Sequence, residues 1–124
     1  MLLFIKNYSP AIVWASVIAF LSLTASSNLP KLDWDFLAPD KFGHFSVYAI
    51  LNIACLWGVF KQKSENKHTY ICTTIFAAAY GVFMEYMQYF LTPDRQFEYP
   101  DMLANALGAL LGLVLFHFFI KRIL

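Results

Sequence analysis

Lys41, His44 and Tyr48 recur at i, i+3 and i+7, which places a base, an imidazole and a phenol on one stripe of a helix. Asp40 stands four residues before His44, a spacing at which a carboxylate can orient or charge the ring. Gly81, Glu85 and Gln88 form a second stripe, and Asp101, Asn105, Gly108 and Gly112 a third. Arg95 lies between those two, in a polar link. Charged groups beside long apolar segments are costly, so each is a candidate for function. His44 and Glu85 are the catalytic candidates, because His44 with Asp40 or Glu85 can serve as a general base. Lys41 and Arg95 can hold phosphate or carboxylate, Arg95 through two parallel bonds. The candidate binding set is Asp40, Lys41, His44, Tyr48, Glu85, Gln88, Arg95, Asp101 and Asn105.

Each of these residues also has a plainer use. His44 can be a structural partner of Asp40 or Glu85, and Glu85 can pair with Lys41 or Arg95. Arg95 can fork onto Glu85 or Asp101. Asp101 and Asn105 can cap and glue helices, Gln88 can be glue, and Tyr48 can be an interhelical hydrogen bonder. Asp, His and Glu together can bind a divalent metal, but the dense ligand spacing of a motif such as HExxH is missing, and neither a metal nor a cofactor is expected. His68 and His117 read as interfacial, and Trp14 and Trp57 as ordinary membrane aromatics.

The elements that must position these groups follow from composition. The 124 residues suffice for one unit and are few for two. Hydrophobic residues make up 60%, aromatic residues 19% and charged residues 14%. Mean hydropathy is +0.56. Soluble domains carry roughly 25% charged residues, so this chain lacks the polar surface water requires and is expected to face lipid. A net charge of +1 with no basic stripe argues against nucleic acid. Cys55 and Cys72 sit in apolar segments and read as small reduced hydrophobes.

Four apolar segments predict an all-α bundle of four transmembrane helices over residues 10–25, 41–60, 69–91 and 101–120, in a single domain of residues 1–124. Pro10 is placed to open the first helix, with Lys6 snorkelling beside it. A cleaved signal peptide is the competing reading of this stretch, disfavoured by a thin basic region and a poor cleavage pair. In the link 24–39, Trp34, Phe36 and Leu37 suit the headgroup zone. Asp40 is expected to cap the second helix and Asp101 the fourth. Gly108-x-x-x-Gly112 is a small-residue seam that admits a close neighbour, either within the bundle or in a dimer, and oligomeric state stays open. A soluble four-helix bundle would need polar helix faces that these segments lack.

Lys6, Lys61, Lys63, Lys67, Lys121 and Arg122 fall in the N-terminal stretch, the middle link and the C-terminal tail. Basic residues mark the cytoplasmic side, so both termini are expected there, in the bacterial inner membrane. The three polar stripes then converge on the outer leaflet, facing the periplasm.

The series Asp40-Lys41-x-x-His44-Phe45-x-x-Tyr48, Glu85-x-x-Gln88, and Arg95 six residues before Asp101-x-x-Ala104-Asn105-x-x-Gly108 resembles the VanZ-like family of small bacterial membrane proteins. The likeness runs from about residue 40 to 112. It implies a four-helix membrane domain and a link with resistance to the glycopeptide teicoplanin. The family's motif positions carry over to Asp40, Lys41, His44, Tyr48, Glu85, Gln88, Arg95, Asp101, Asn105 and Gly108. Asp94 departs from the pattern, where a glycine before the arginine is common, and its charge tempers the pull of Arg95 on an anion. Three functions are compatible with these residues. The protein can recognise a lipid or lipid-linked cell-wall precursor headgroup, among membrane lipids as its partners. It can be an enzyme acting on a phosphorylated lipid, or a structural protein whose polar faces hold the bundle together.

Overall fold

In a computed structural model, the protein is described over residues 1–23, 39–91 and 99–124, with residues 39–41 described by backbone alone. These residues form four long helices and no strand: α1 (Leu2–Leu23), α2 (Pro39–Lys61), α3 (Lys67–Leu91) and α4 (Tyr99–Leu115). The chain of α4 continues through a π-helical turn, Phe116–Ile120, and a 3-10 turn, Lys121–Ile123.

The first helix starts earlier than Pro10 predicts, and the proline lies inside it. A proline there cannot donate to the carbonyl of Lys6. The hydroxyl of Ser9 donates to that carbonyl instead, at 2.9 Å. Asp40 and Asp101 are not flanking caps, since their helices begin at Pro39 and Tyr99 and hold them in the first turn. An acid in a first turn still meets the positive end of the helix dipole. Between α2 and α3 the link is tightly fixed. Lys63 takes φ 56°, Ser64 N–H donates to Val59 and Lys63 N–H to Phe60, a Schellman closure of α2. Asn66 then caps α3, its side-chain oxygen accepting from Thr69 N–H at 2.8 Å.

α2 is the central helix, packed against all three others. Its closest partner is α4, because the small-residue seam faces it. A Cβ on Gly108 would collide with the Phe45 carbonyl, and one on Gly112 would lie 2.6 Å from the Ala49 carbonyl oxygen. The seam is therefore occupied inside the chain. α1 is peripheral: 11% of its apolar window is buried, against 44% for α2.

Polar side chains lie inside the bundle among apolar ones, and large apolar side chains cover its outside. Asn52, Thr74, Glu85, Gln88, Asp101 and Asn105 are buried, while Phe20, Ile75, Phe76, Phe90, Leu103 and Phe119 are exposed. Water would penalise that surface heavily, and lipid would not. Among the described residues three helices are long and apolar enough to cross a membrane: Leu2–Leu23, Phe42–Lys61 and Tyr99–Ile123. The predicted fourth span, 69–91, is helical but falls short on average hydropathy, since α3 carries Lys67, His68, Thr69, Thr73, Thr74, Glu85 and Gln88.

Candidate functional site

The three stripes come together at the end of the bundle where α1 and α3 finish and α2 and α4 begin. His44 projects from the second turn of α2 and its Nε2 stands 3.5 Å from Asp101 Oδ2 on α4. The aspartate is largely buried and the imidazole partly so. Sequence spacing offers Asp40 or Glu85 as partners of His44 and does not reveal Asp101, because spacing along one helix cannot register a residue on another. The side chains of Asp40 and Lys41 lie outside the described residues, and so does Arg95 entirely.

Glu85 is 2% exposed. It shares the buried face of α3 with Gly81 and Gln88, and it lies within electrostatic reach of Tyr48 on α2. The Tyr48 ring meets that of Tyr80 at 6.4 Å between centroids. Gly81 allows α4 to approach α3, for a Cβ there would sit 2.8 Å from Asn105 Cβ. Asn105 is fully buried, and its Oδ1 has no hydrogen-bond donor among the described residues. Gln88 is a tie to α1, its Nε2 donating to the Ser22 carbonyl at 2.9 Å. That bond satisfies one of the last carbonyls of α1, which no helical N–H can reach.

A cavity of about 140 Å3 opens between Ile18 and Ser22 of α1, Gly43, His44 and Tyr48 of α2, and Gln88 of α3. It is smaller than the roughly 300–1,000 Å3 of sites that enclose a whole drug-sized ligand. It suits a phosphate-sized or amide-sized fragment with the remainder outside. No cluster of three or more His, Cys, Asp or Glu able to hold a metal is found among the described residues.

A second polar group lies deeper and does not follow from the motif residues. Asn52 Nδ2 donates to Thr74 Oγ1 at 3.0 Å and to the Ala109 carbonyl at 2.7 Å, which joins α2, α3 and α4. Thr74 Oγ1 in turn donates to the Tyr70 carbonyl at 3.0 Å. The signal was available: Asn52 follows Tyr48 by four residues and prolongs the His44 stripe, and Thr74 precedes Gly81 by seven. Trp14 and Tyr80 are also more than membrane aromatics. Trp14 Nε1 donates to the Val47 carbonyl at 2.9 Å and Tyr80 Oη to the Ala15 carbonyl at 2.7 Å, so they fasten α1 to α2 and α3.

The arrangement thus offers a partly buried imidazole–carboxylate pair, a second buried acid, an amide oxygen with no donor among the described residues, and a small opening beside them. No curated protein and no solved structure matches the chain. The VanZ/LLP1 family model matches residues 5–120. That match takes in α1, α2, α3 and α4, every element that builds this polar end, and runs on through the π-helical turn at the other end. Together with the three apolar span-length helices, it makes the chain a membrane protein of the VanZ/LLP1 family.

Proposed function

We propose that the protein recognises the polar head of an envelope lipid or lipid-linked cell-wall precursor at the outer leaflet of the bacterial inner membrane, and so alters susceptibility to teicoplanin-type glycopeptides. The observation that carries this reading is the convergence of His44, Glu85, Gln88, Asp101 and Asn105 beside a small cavity at one end of the bundle. Buried ionisable groups are expensive in a bilayer, and selection keeps them where they serve a pathway or a ligand. Arg95 and Lys41 supply positive charge for phosphate, while the acids and amides meet sugar or peptide groups.

This reading includes four membrane spans with both termini in the cytoplasm. Support for α3 as a span is azimuthal. Its outward face presents Ile71, Ile75, Phe76, Val82, Phe83 and Phe90, and its polar residues Thr74, Glu85 and Gln88 are buried. An average over the helix mixes the two faces. Support for the orientation is the gathering of Lys6, Lys61, Lys63, Lys67, Lys121 and Arg122 at the other end.

The test is Glu85→Gln and Arg95→Ala in a susceptible host, with membrane insertion checked for each. Protection is expected to fall at least severalfold for both. If both inserted variants protect as well as the parent, the site reading fails.

One observation favours a second reading. The His44–Asp101 pair, 3.5 Å apart, has the form of a general base oriented by a carboxylate, as a membrane enzyme acting on a phosphorylated lipid would need. Incubation of purified protein with a lipid-linked phosphate separates the two. Turnover supports the enzyme, and stoichiometric retention without turnover supports the binder.

A further inference from the structure

The opposite end of the bundle carries a larger groove that the headgroup reading does not use. It lies between the start of α3 and the end of α4, with a volume of about 480 Å3. That is within the roughly 300–1,000 Å3 typical of ligand sites. Its floor is apolar, made by Ile71, Leu113, Val114 and Phe118, and Lys67 and Lys121 stand in its wall. Part of that wall is the π-helical turn Phe116–Ile120, a departure from α geometry often found at functional sites.

The charge in the groove is lopsided. Its one acid, Glu65, already accepts from Tyr70 Oη at 2.5 Å and pairs with Lys121 Nζ at 3.0 Å. That leaves the positive charge of Lys67 without an acid of its own in the groove, close to Lys61, Lys63 and Arg122 at the same end. An occupant must therefore combine an apolar chain with an anionic head placed at a helix end, where headgroups lie.

We infer that this groove seats one anionic glycerophospholipid, its acyl chain along Ile71, Leu113 and Val114 and its phosphate at Lys67, beside the Lys121–Glu65 pair. The site is independent of the polar end and holds whether or not that end binds a headgroup. The basic residues recognise the phosphodiester and its net charge, so a zwitterionic lipid with the same chains binds less well. A basic residue at the membrane surface contributes about a fivefold preference for anionic lipid.

Native mass spectrometry of the full-length protein in detergent, titrated with phosphatidylglycerol or with phosphatidylcholine of identical chains, tests this. One phosphatidylglycerol is expected to remain bound at concentrations where phosphatidylcholine does not. Lys67→Ala is expected to weaken retention about fivefold. Ile71→Trp, at a position already 44% exposed, fills the groove and is expected to abolish retention while leaving the bundle folded. Lys6→Ala, at the same end but outside the groove, is expected to leave it unchanged. Equal retention of the two lipids overturns the site, as does unaltered retention in Ile71→Trp. An equal loss in Lys6→Ala and Lys67→Ala also overturns it, since general surface charge then accounts for the binding.

Discussion

At one end of the bundle Glu85 is sealed between helices and Asp101 meets His44 across α2 and α4. At the other, Glu65 sits in the link before α3, paired to Lys121, and the interior beside it is Leu56, Val59, Tyr70 and Phe116. The basic end keeps its charges at the surface and its rings inside. The Tyr70 and Phe116 rings meet edge to face at 6.1 Å between centroids, and Lys61 Nζ lies 4.7 Å over the Trp57 ring. The interior of such an end is explained by packing. The polar end is not, because burying charge costs more than an apolar filling of the same volume. The difference separates an end whose interior apolar packing accounts for from one whose buried charges it does not.

The two ends also differ in what holds their helices together, and this gives the largest expected effect. Near the polar end Gly108 packs directly on the Phe45 carbonyl, whereas near the basic end Gly58 packs on the Tyr8 ring. A backbone atom cannot rotate away and a side chain can. Gly108→Ala is therefore expected to destabilise the bundle by about 3 kcal/mol, the upper range for overpacking. Gly58→Ala is expected to cost about 1 kcal/mol or less, since Tyr8 can move and alanine favours the helix. Unfolding in mixed detergent micelles measures both. Equal losses would mean that both ends are built the same way.

Asn52 comes next. It divides the two ends, and its amide joins three helices. Asn52→Leu keeps the number and branching of the side-chain heavy atoms but removes both bonds, and polar contacts inside membrane bundles contribute about 0.6–1.7 kcal/mol each. A loss of about 1–2 kcal/mol with headgroup retention intact would mark the middle layer as glue and the polar end as the site. A loss of retention without a loss of stability would merge the two.

How much of this was legible in the sequence depended on whether the needed information ran along one helix. The stripes of α3 and α4 and the inward glycine face follow from helical spacing, and Glu85, Gln88, Asp101 and Asn105 are all buried as those stripes require. Pairings between helices do not follow from spacing. His44 finds Asp101, Asn52 finds Thr74, and Trp14 and Tyr80 find carbonyls on other helices. Pro10 misled because its cost depends on whether the freed carbonyl finds another donor, and Ser9 supplies one. The groove at the basic end had no motif to announce it, because its apolar floor is made from residues of two helices that meet only in the fold.

The smallest effect concerns Glu65 and isolates the polar end. The hydrogen bond from Tyr70 Oη, and then Lys121, hold its carboxyl below the ordinary value of 4.5. A carboxyl lowered by folding adds stability that is fully present above that ordinary value. The contribution disappears as pH falls through the lowered one. Glu65 is exposed, so solvent screens the pair and the loss is at most about 1 kcal/mol. Glu65→Gln should remove this part of the acid sensitivity and give up the same contribution, at most about 1 kcal/mol, at neutral pH. The other side-chain acids are Asp33, Asp35, Asp40, Glu85, Asp94, Glu98 and Asp101, all in the two links or helix segments that lead to the polar end. With His68→Gln and His117→Gln added to Glu65→Gln to remove the imidazoles of the basic end, acid sensitivity that persists, followed by thermal unfolding from pH 7 down to pH 3, reports on the polar end. If none persists, the charges at the polar end do not contribute to stability, and their cost must be offset by what they bind.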